Sequence, residues 1–273
     1  MTKGIVLFVQ QNSKTDYLKQ SVACALSIKK FNPNEKVCLI TDIEVPNKYQ
    51  SVFDVIKDIP GEDFAKESDW KVENRCKIYN VAPFDRNIVL DVDMLVLENI
   101  QHWWTALENY ELYYTNKVKT YRNEWVNSNY YRKVFETNEL PNVYCGFHYF
   151  IKCENNKKFY ETLKKVVMNY NTFAEKFTIN NTQKWCSMDV ATAIVVKMLN
   201  KEHQVFSNHK FLTFTHMKPK CLNWKSSVKH WNEQLDYMMN KNCELFVGNI
   251  KQQGIFHYVE DSFLTEDIME CLK

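Results

Sequence analysis

The chain has 273 residues, 45% hydrophobic and 14% aromatic, enough to bury a sizeable core as one large domain or two closely packed halves. With 35 Lys and Arg against 33 Asp and Glu, the net charge of +2 makes no case for a nucleic-acid partner, and five glycines and six prolines leave no linker, repeat or low-complexity run. Nine scattered cysteines without a Cys-x-x-Cys pair argue against a zinc site and a disulfide framework; with no export signal or membrane-length apolar run, a reducing, cytoplasmic location is expected.

In chain order, Ile5 to Val9 predicts a buried strand and Gln10 to Thr15 a polar loop. From Asp16 to Lys30 the apolar residues Leu18, Val22, Ala25, Leu26 and Ile28 recur at helical spacing, with Asp16 placed to cap and Asn32-Pro33 to terminate. Val37 to Ile40 predicts a second strand ending in Thr41-Asp42, and Val52 to Ile56 a third. The spacing then predicts a helix over Trp70 to Val81, broken by Pro83-Phe84-Asp85. Arg75 and Lys77, two apart, cannot share a helix face, so at most one points into a site. This order predicts an α/β fold with a mostly parallel sheet flanked by helices.

Ligands of such sheets bind beyond the carboxyl ends of the strands. That edge would gather Val9, Gln10, Gln11, Asn12 and Ser13 after the first strand, Asp42 after the second, and Asp91, Val92 and Asp93 after Ile88-Val89-Leu90. Asp91 and Asp93 alternate, so an extended backbone points both to one side, where like charges repel unless a cation lies between them. Mn²⁺ or Mg²⁺ fits oxygen ligands and leaves positions for a diphosphate. The plain alternative is a solvated turn whose Asp side chains accept from nearby backbone N–H groups. No glycine-rich phosphate loop occurs, so the phosphates of a bound nucleotide would need the metal.

Lys77-Ile78-Tyr79 and the run from Phe84 to Ile100 resemble the centre of the glycogenin-like and galactosyltransferase-like nucleotide-sugar glycosyltransferases. The resemblance implies a GT-A fold over 1–273 as one domain. Residues 1–100 would form the nucleotide-sugar half and 101–273 the acceptor half with the last metal-ligand strand. It further implies an Asp-x-Asp holding Mn²⁺ (or Mg²⁺) against the diphosphate of a donor expected to be UDP-linked, transfer to an acceptor hydroxyl with retention, and a donor contact from Lys77. Val143 to Phe150 resembles the strand lining the family's sugar pocket, which places Tyr144 and Gly146 there, with Tyr144-Cys145 standing where the family writes Asn-Ala. Trp185 to Val190 resembles the segment before a family helix, so Asp189 would lie near the anomeric carbon; Val190 replaces the usual Gln. Gly254 to Tyr258 resembles a late strand ending in a metal-binding His, which makes His257 the third ligand, followed by Val259-Glu260-Asp261-Ser262 where the family often carries Gly and Lys.

Two stretches bear on the acceptor. Over 113–133, Tyr113, Tyr114, Tyr121, Trp125, Tyr130 and Tyr131 alternate with Lys117, Lys119, Arg122, Arg132 and Lys133. Over 210–231 stand Lys210, His216, Lys218, Lys220, Trp224, Lys225, Lys229, His230 and Trp231. Such runs suit sugar stacking or a polyanion such as DNA, while a lid with a solvated basic face is the plainer reading. The acceptor is accordingly a glycan or a hydroxylated DNA base. Two competitors remain: a haloacid-dehalogenase-like phosphohydrolase with Asp91 as nucleophile, and a non-catalytic carbohydrate-binding module. The apolar run Met94 to Leu97 weighs against the first, and acids clustered at a strand end against the second.

Overall fold

The computed structural model describes residues 1–126, 132–179, 185–205, 211–225 and 227–273. Its centre is a six-stranded sheet of β1 (Lys3–Val9), β2 (Val37–Thr41), β3 (Val55–Asp58), β4 (Arg86–Leu90), β6 (Leu112–Thr115) and β7 (Tyr144–Ile151), in the order β3-β2-β1-β4-β7-β6. β1 to β4 run parallel; β7 is antiparallel to both β4 and β6. The unbroken apolar runs follow from burial on both faces. Val6, Phe8 and Val89 pack towards Ile194 and Phe159 on one side, and Ile5, Leu7, Ile88 and Leu90 towards Val22, Ile28 and Trp103 on the other.

The first helix spans Tyr17–Phe31, and Asp16 caps it by accepting from the Lys19 N–H at 2.9 Å. The third strand lies further along than Val52 to Ile56. Phe53 is buried in the turn that precedes it, and Asp54, bound to Lys29, Lys36 and the Val37 N–H, anchors its start. Residues 70–81 are not one helix either: Lys71 adopts φ 54°, a 3₁₀ turn covers Glu73–Lys77, and a short α-turn covers Ile78–Val81. No helix among the described residues is long and apolar enough to cross a membrane.

At Asp91 the chain leaves the central sheet, and at Met94 it enters β5 (Met94–Val96), an edge strand of a second sheet. There β12 (Ile255–His257) lies antiparallel to β5 and parallel to β8 (Phe214–His216). A third sheet joins β9 (Tyr237–Met239), β10 (Leu245–Val247) and β11 (Ile250–Lys251). Asp91 and Asp93 thus occupy the passage between two sheets.

Candidate active site

The passage is pinned at both ends. The Asp91 N–H donates to the Gly146 carbonyl at 3.0 Å, and the Tyr258 N–H donates to the Asp93 carbonyl at 3.1 Å. Because β12 pairs with β5 with His257 opposite Met94, the imidazole lands beside Asp93, its Nε2 2.8 Å from Oδ2. One ligand atom from each of Asp91, Asp93 and His257 falls within 4.8 Å of the others. Gly146 permits this geometry: a Cβ there would lie 2.9 Å from Asp91 Oδ2 and 2.8 Å from Met94 Cε.

The two carboxylates of the cluster face one guanidinium and one imidazole. Burial pushes the Asp91 carboxyl up, but the Arg75 guanidinium paired with it, and then His257, outweigh burial and hold it below the usual range. Burial pulls the His257 imidazole down, and the neighbouring Asp93 outweighs it, leaving the ring more basic than usual. His216 stacks on His257 with ring centroids 4.4 Å apart, and burial together with His257, Lys218 and Arg132 pushes it well below the usual range. Two carboxylates and an imidazole converging in one partly buried place are a donor set that fits a divalent cation.

Above the cluster opens a cavity of about 950 Å³, walled also by Tyr144, Asp189, Trp70 and Trp185. Asp189 sits in the first turn of the helix Met188–Met198, which Ser187 caps by accepting from the Val190 N–H. Both carboxylate oxygens are engaged: Oδ2 accepts from Arg132 Nη1 at 2.7 Å and Oδ1 from the Cys145 N–H at 2.9 Å. Arg132 is itself fixed by Asn142 Oδ1 at 2.6 Å, by the Val143 carbonyl, and by the rings of Phe135 and Tyr144, 3.9 and 4.0 Å from its guanidinium carbon.

Of the residues singled out in the sequence, Val9, Gln10, Asp91, Val92 and Asp93 line a smaller cavity of about 180 Å³ together with Tyr17 and Arg75. Tyr144, Gly146, Asp189 and His257 line the larger one with both acids. Gln11, Asn12, Asp42 and Lys77 line neither cavity. The Gln11 N–H donates to Asp42 Oδ1 at 2.9 Å, and Asn12 Oδ1 accepts from the Lys14 and Thr15 N–H groups, so these residues shape the loop. Lys77 is buried, donating to the Glu62 carbonyl with its ammonium 4.4 Å from the Phe64 ring centroid; Arg75 is the basic residue that reaches Asp91.

The two aromatic and basic runs come together, since the Lys119 N–H donates to the Phe214 carbonyl at 2.7 Å and the His216 N–H to the Lys119 carbonyl at 2.9 Å. Tyr113, Tyr114, Tyr121 and Trp231 are buried in the core, and Tyr130, Tyr131 and Lys210 lie outside the described residues. Sequence reasoning missed Arg132 as a partner of Asp189, His216 as a partner of His257, and Trp70 and Trp185 at the large cavity. Only the isolated tryptophans near the acid segments offered a local signal.

Fold and site together define an α/β protein with a metal-compatible acid–imidazole cluster between two sheets, facing a ligand-sized cavity. No protein-family model matches the chain, and no curated protein matches it. Solved structures similar to it include the glycosyltransferase GlyE of Streptococcus pneumoniae TIGR4, with a TM-score of 0.42 and 17% identity over 77% of this chain and 46% of that one. Another is the galactosyltransferase LgtC in complex with donor and acceptor sugar analogues, with a TM-score of 0.47 and 13% identity over 75% and 73%. Mouse xyloside xylosyltransferase 1 follows, with a TM-score of 0.45 and 11% identity over 76% and 84%. The chain spans less than half the length of GlyE. All three neighbours are glycosyltransferases, but so distant a likeness assigns neither activity nor substrate.

Proposed function

We propose that the protein is a metal-dependent GT-A glycosyltransferase that moves a sugar from a nucleoside diphosphate, UDP foremost, to an acceptor hydroxyl. The observation that carries this reading is the convergence of Asp91, Asp93 and His257 beneath a cavity of about 950 Å³, within the size range of small-molecule and cofactor sites. Those three side chains would hold Mn²⁺ or Mg²⁺, and their number leaves coordination positions for phosphate oxygens. When bound, the dication would offset charge gathering on the departing diphosphate.

The protein's own groups divide the remaining work. Val9, Gln10, Val92, Tyr17 and Arg75 line the small cavity next to the cluster and would contact the nucleoside end of the donor. Tyr144 and Gly146 line the sugar side. Asp189, with both oxygens already bonded, serves as a fixed negative charge near a positive anomeric centre and not as a free nucleophile. Residues 1–100 thus act as the donor half and 101–273 as the acceptor half, and the motif resemblance favours retention. Glu233, Glu260 and Asp261 on the cavity wall favour a glycan acceptor over a DNA base, whose phosphates they would repel.

A thermal-shift panel of UDP-, GDP- and ADP-sugars with and without Mn²⁺ tests the reading. A rise in Tm of several degrees is expected only with nucleotide sugar and metal together, because a ligand bound to the folded form alone raises apparent stability. No shift with any combination, and no metal-dependent breakdown of any donor, would sink it.

A further inference from the structure

Sugar transfer to a hydroxyl has to dispose of one proton. The bond from the anomeric carbon to the diphosphate breaks with its electron pair going to the phosphate oxygen, the acceptor oxygen bonds to that carbon, and its hydrogen leaves as H⁺. The acids already given a role are poor destinations. Asp91 and Asp93 belong to the metal-compatible cluster, and both oxygens of Asp189 accept from other groups. A base for the acceptor has to come from elsewhere on the cavity wall.

One part of that wall is sewn together from two segments. Trp231 Nε1 donates to the Tyr258 carbonyl at 2.6 Å and Asn232 Nδ2 to Ser262 Oγ at 2.8 Å, while the Tyr258 N–H donates to the Asp93 carbonyl. His230, the residue before Trp231, is thereby set against the loop that follows β12, and its Nδ1 lies 2.7 Å from Glu260 Oε2. Both side chains line the cavity of about 950 Å³. A carboxylate only accepts, so Nδ1 carries the hydrogen of this bond and the lone pair of the neutral ring is left on Nε2. No described residue bonds Nε2. The His230 side chain is 47% exposed and that of Glu260 17%, so the acid is the anchored member and the ring the one that meets the cavity. Glu260 makes the imidazole more basic than usual, Glu233 adds to the effect, and slight burial and Lys229 oppose it.

We infer that His230 is the catalytic base for the acceptor, its Nε2 taking the proton of the attacking hydroxyl while Glu260 holds the ring in the tautomer that can receive it. The inference rests on the sugar-transfer reading and adds a residue to it. The O–H bonding pair stays on the acceptor oxygen, Nε2 gains the hydrogen, and Glu260 stabilises the imidazolium until it passes the proton to water. This route does not depend on which face of the sugar is attacked, so it holds for retention and inversion alike.

The test uses the full chain with Mn²⁺ and UDP-glucose, UDP-galactose, GDP-mannose or ADP-glucose as donor. Water and methyl β-galactoside serve as acceptors, and released nucleoside diphosphate is the readout. For the donor turned over fastest, His230→Gln is expected to lower kcat about 100-fold or more, to leave donor affinity by calorimetry within about twofold, and to flatten the acid limb of the pH profile. Glu260→Gln keeps the ring but removes the charge that makes it basic; it is expected to cost about tenfold and to move that acid limb to lower pH. NMR titration of the His230 ring in the metal-free chain should show the same movement, from above the usual imidazole range in the wild type to lower pH in Glu260→Gln. A wild-type rate in His230→Gln, a loss of donor affinity in proportion to rate, an unaltered acid limb, or a His230 titration unmoved by Glu260→Gln overturns the assignment while the sugar-transfer reading stands. Absence of Mn²⁺-dependent diphosphate release by the wild-type chain from any of these donors overturns both.

Discussion

Two aspartates on the walls of one cavity, Asp91 and Asp189, are each paired with an arginine and are differently placed. Arg75 and Asp91 have side-chain exposures of 17% and 22%, Arg132 and Asp189 of 12% and 26%, so burial does not separate them. Their neighbours do. Asp91 belongs to a cluster in which a second carboxylate and an imidazole share one space, whereas both oxygens of Asp189 already accept from groups of their own. A dication entering the first pair relieves repulsion; entering the second, it would have to break an ion pair and strip a backbone N–H of its acceptor. An acid is made ready for metal by other acids short of donors, and an acid with a complete set of donors is a fixture.

The largest test of that contrast is Asp93→Asn. It removes one charge of the open cluster but leaves the Arg75–Asp91 pair, and metal-dependent transfer is expected to fall by about 10³ or more with the circular-dichroism spectrum intact. Full activity in this variant would end the metal assignment. Arg132→Ala opens the closed pair. With Asp189 deprived of its cation, kcat is expected to drop roughly 10- to 100-fold, donor KM to stay within about threefold, and Arg132→Lys to recover part of the loss. A kcat equal to wild type in Arg132→Ala would leave that pair a structural tie.

The smallest effect comes from between the pairs. His148, buried on β7, feels Arg75, Asp91 and Asp189, and burial first of all pushes its imidazole down to about 4. An unfolded chain takes up that proton near pH 6.5, whereas the folded one refuses it until about pH 4, so stability present above 6.5 is lost as pH falls through this window. By pH 5.5 the loss is about 1 kcal/mol. His148→Gln should flatten the slope of Tm against pH between 6.5 and 4, and an unchanged slope would remove His148 as the cause.

Several parts of this arrangement are legible in the residues alone. β1, β2 and β4 declare themselves by apolar runs because both faces of the sheet are covered. Asp91, Asp93 and His257 stand out because acids in alternation and a terminal imidazole interrupt such runs. The closed pair is not legible: Arg132 lies in a basic, aromatic run, and nothing local says that Asp189, 57 positions away, is its partner. The second sheet is equally hidden, since strands of three residues are too short to display an alternation. Tyr113, Tyr114 and Trp231 mislead for a related reason. An aromatic side chain suits a packed interior as well as a binding face, and here the core clusters take all three.

His257 reaches Asp93 across 164 positions of chain, through strands that pair only once β12 is in hand. During synthesis at ordinary speeds the imidazole emerges roughly 10 to 30 s after the acids it must meet. Over that interval the nascent protein has the two carboxylates without their third partner. Completing the triad is therefore a late, non-local event, and the site's ability to hold a metal with all three ligands reports that the molecule has finished folding.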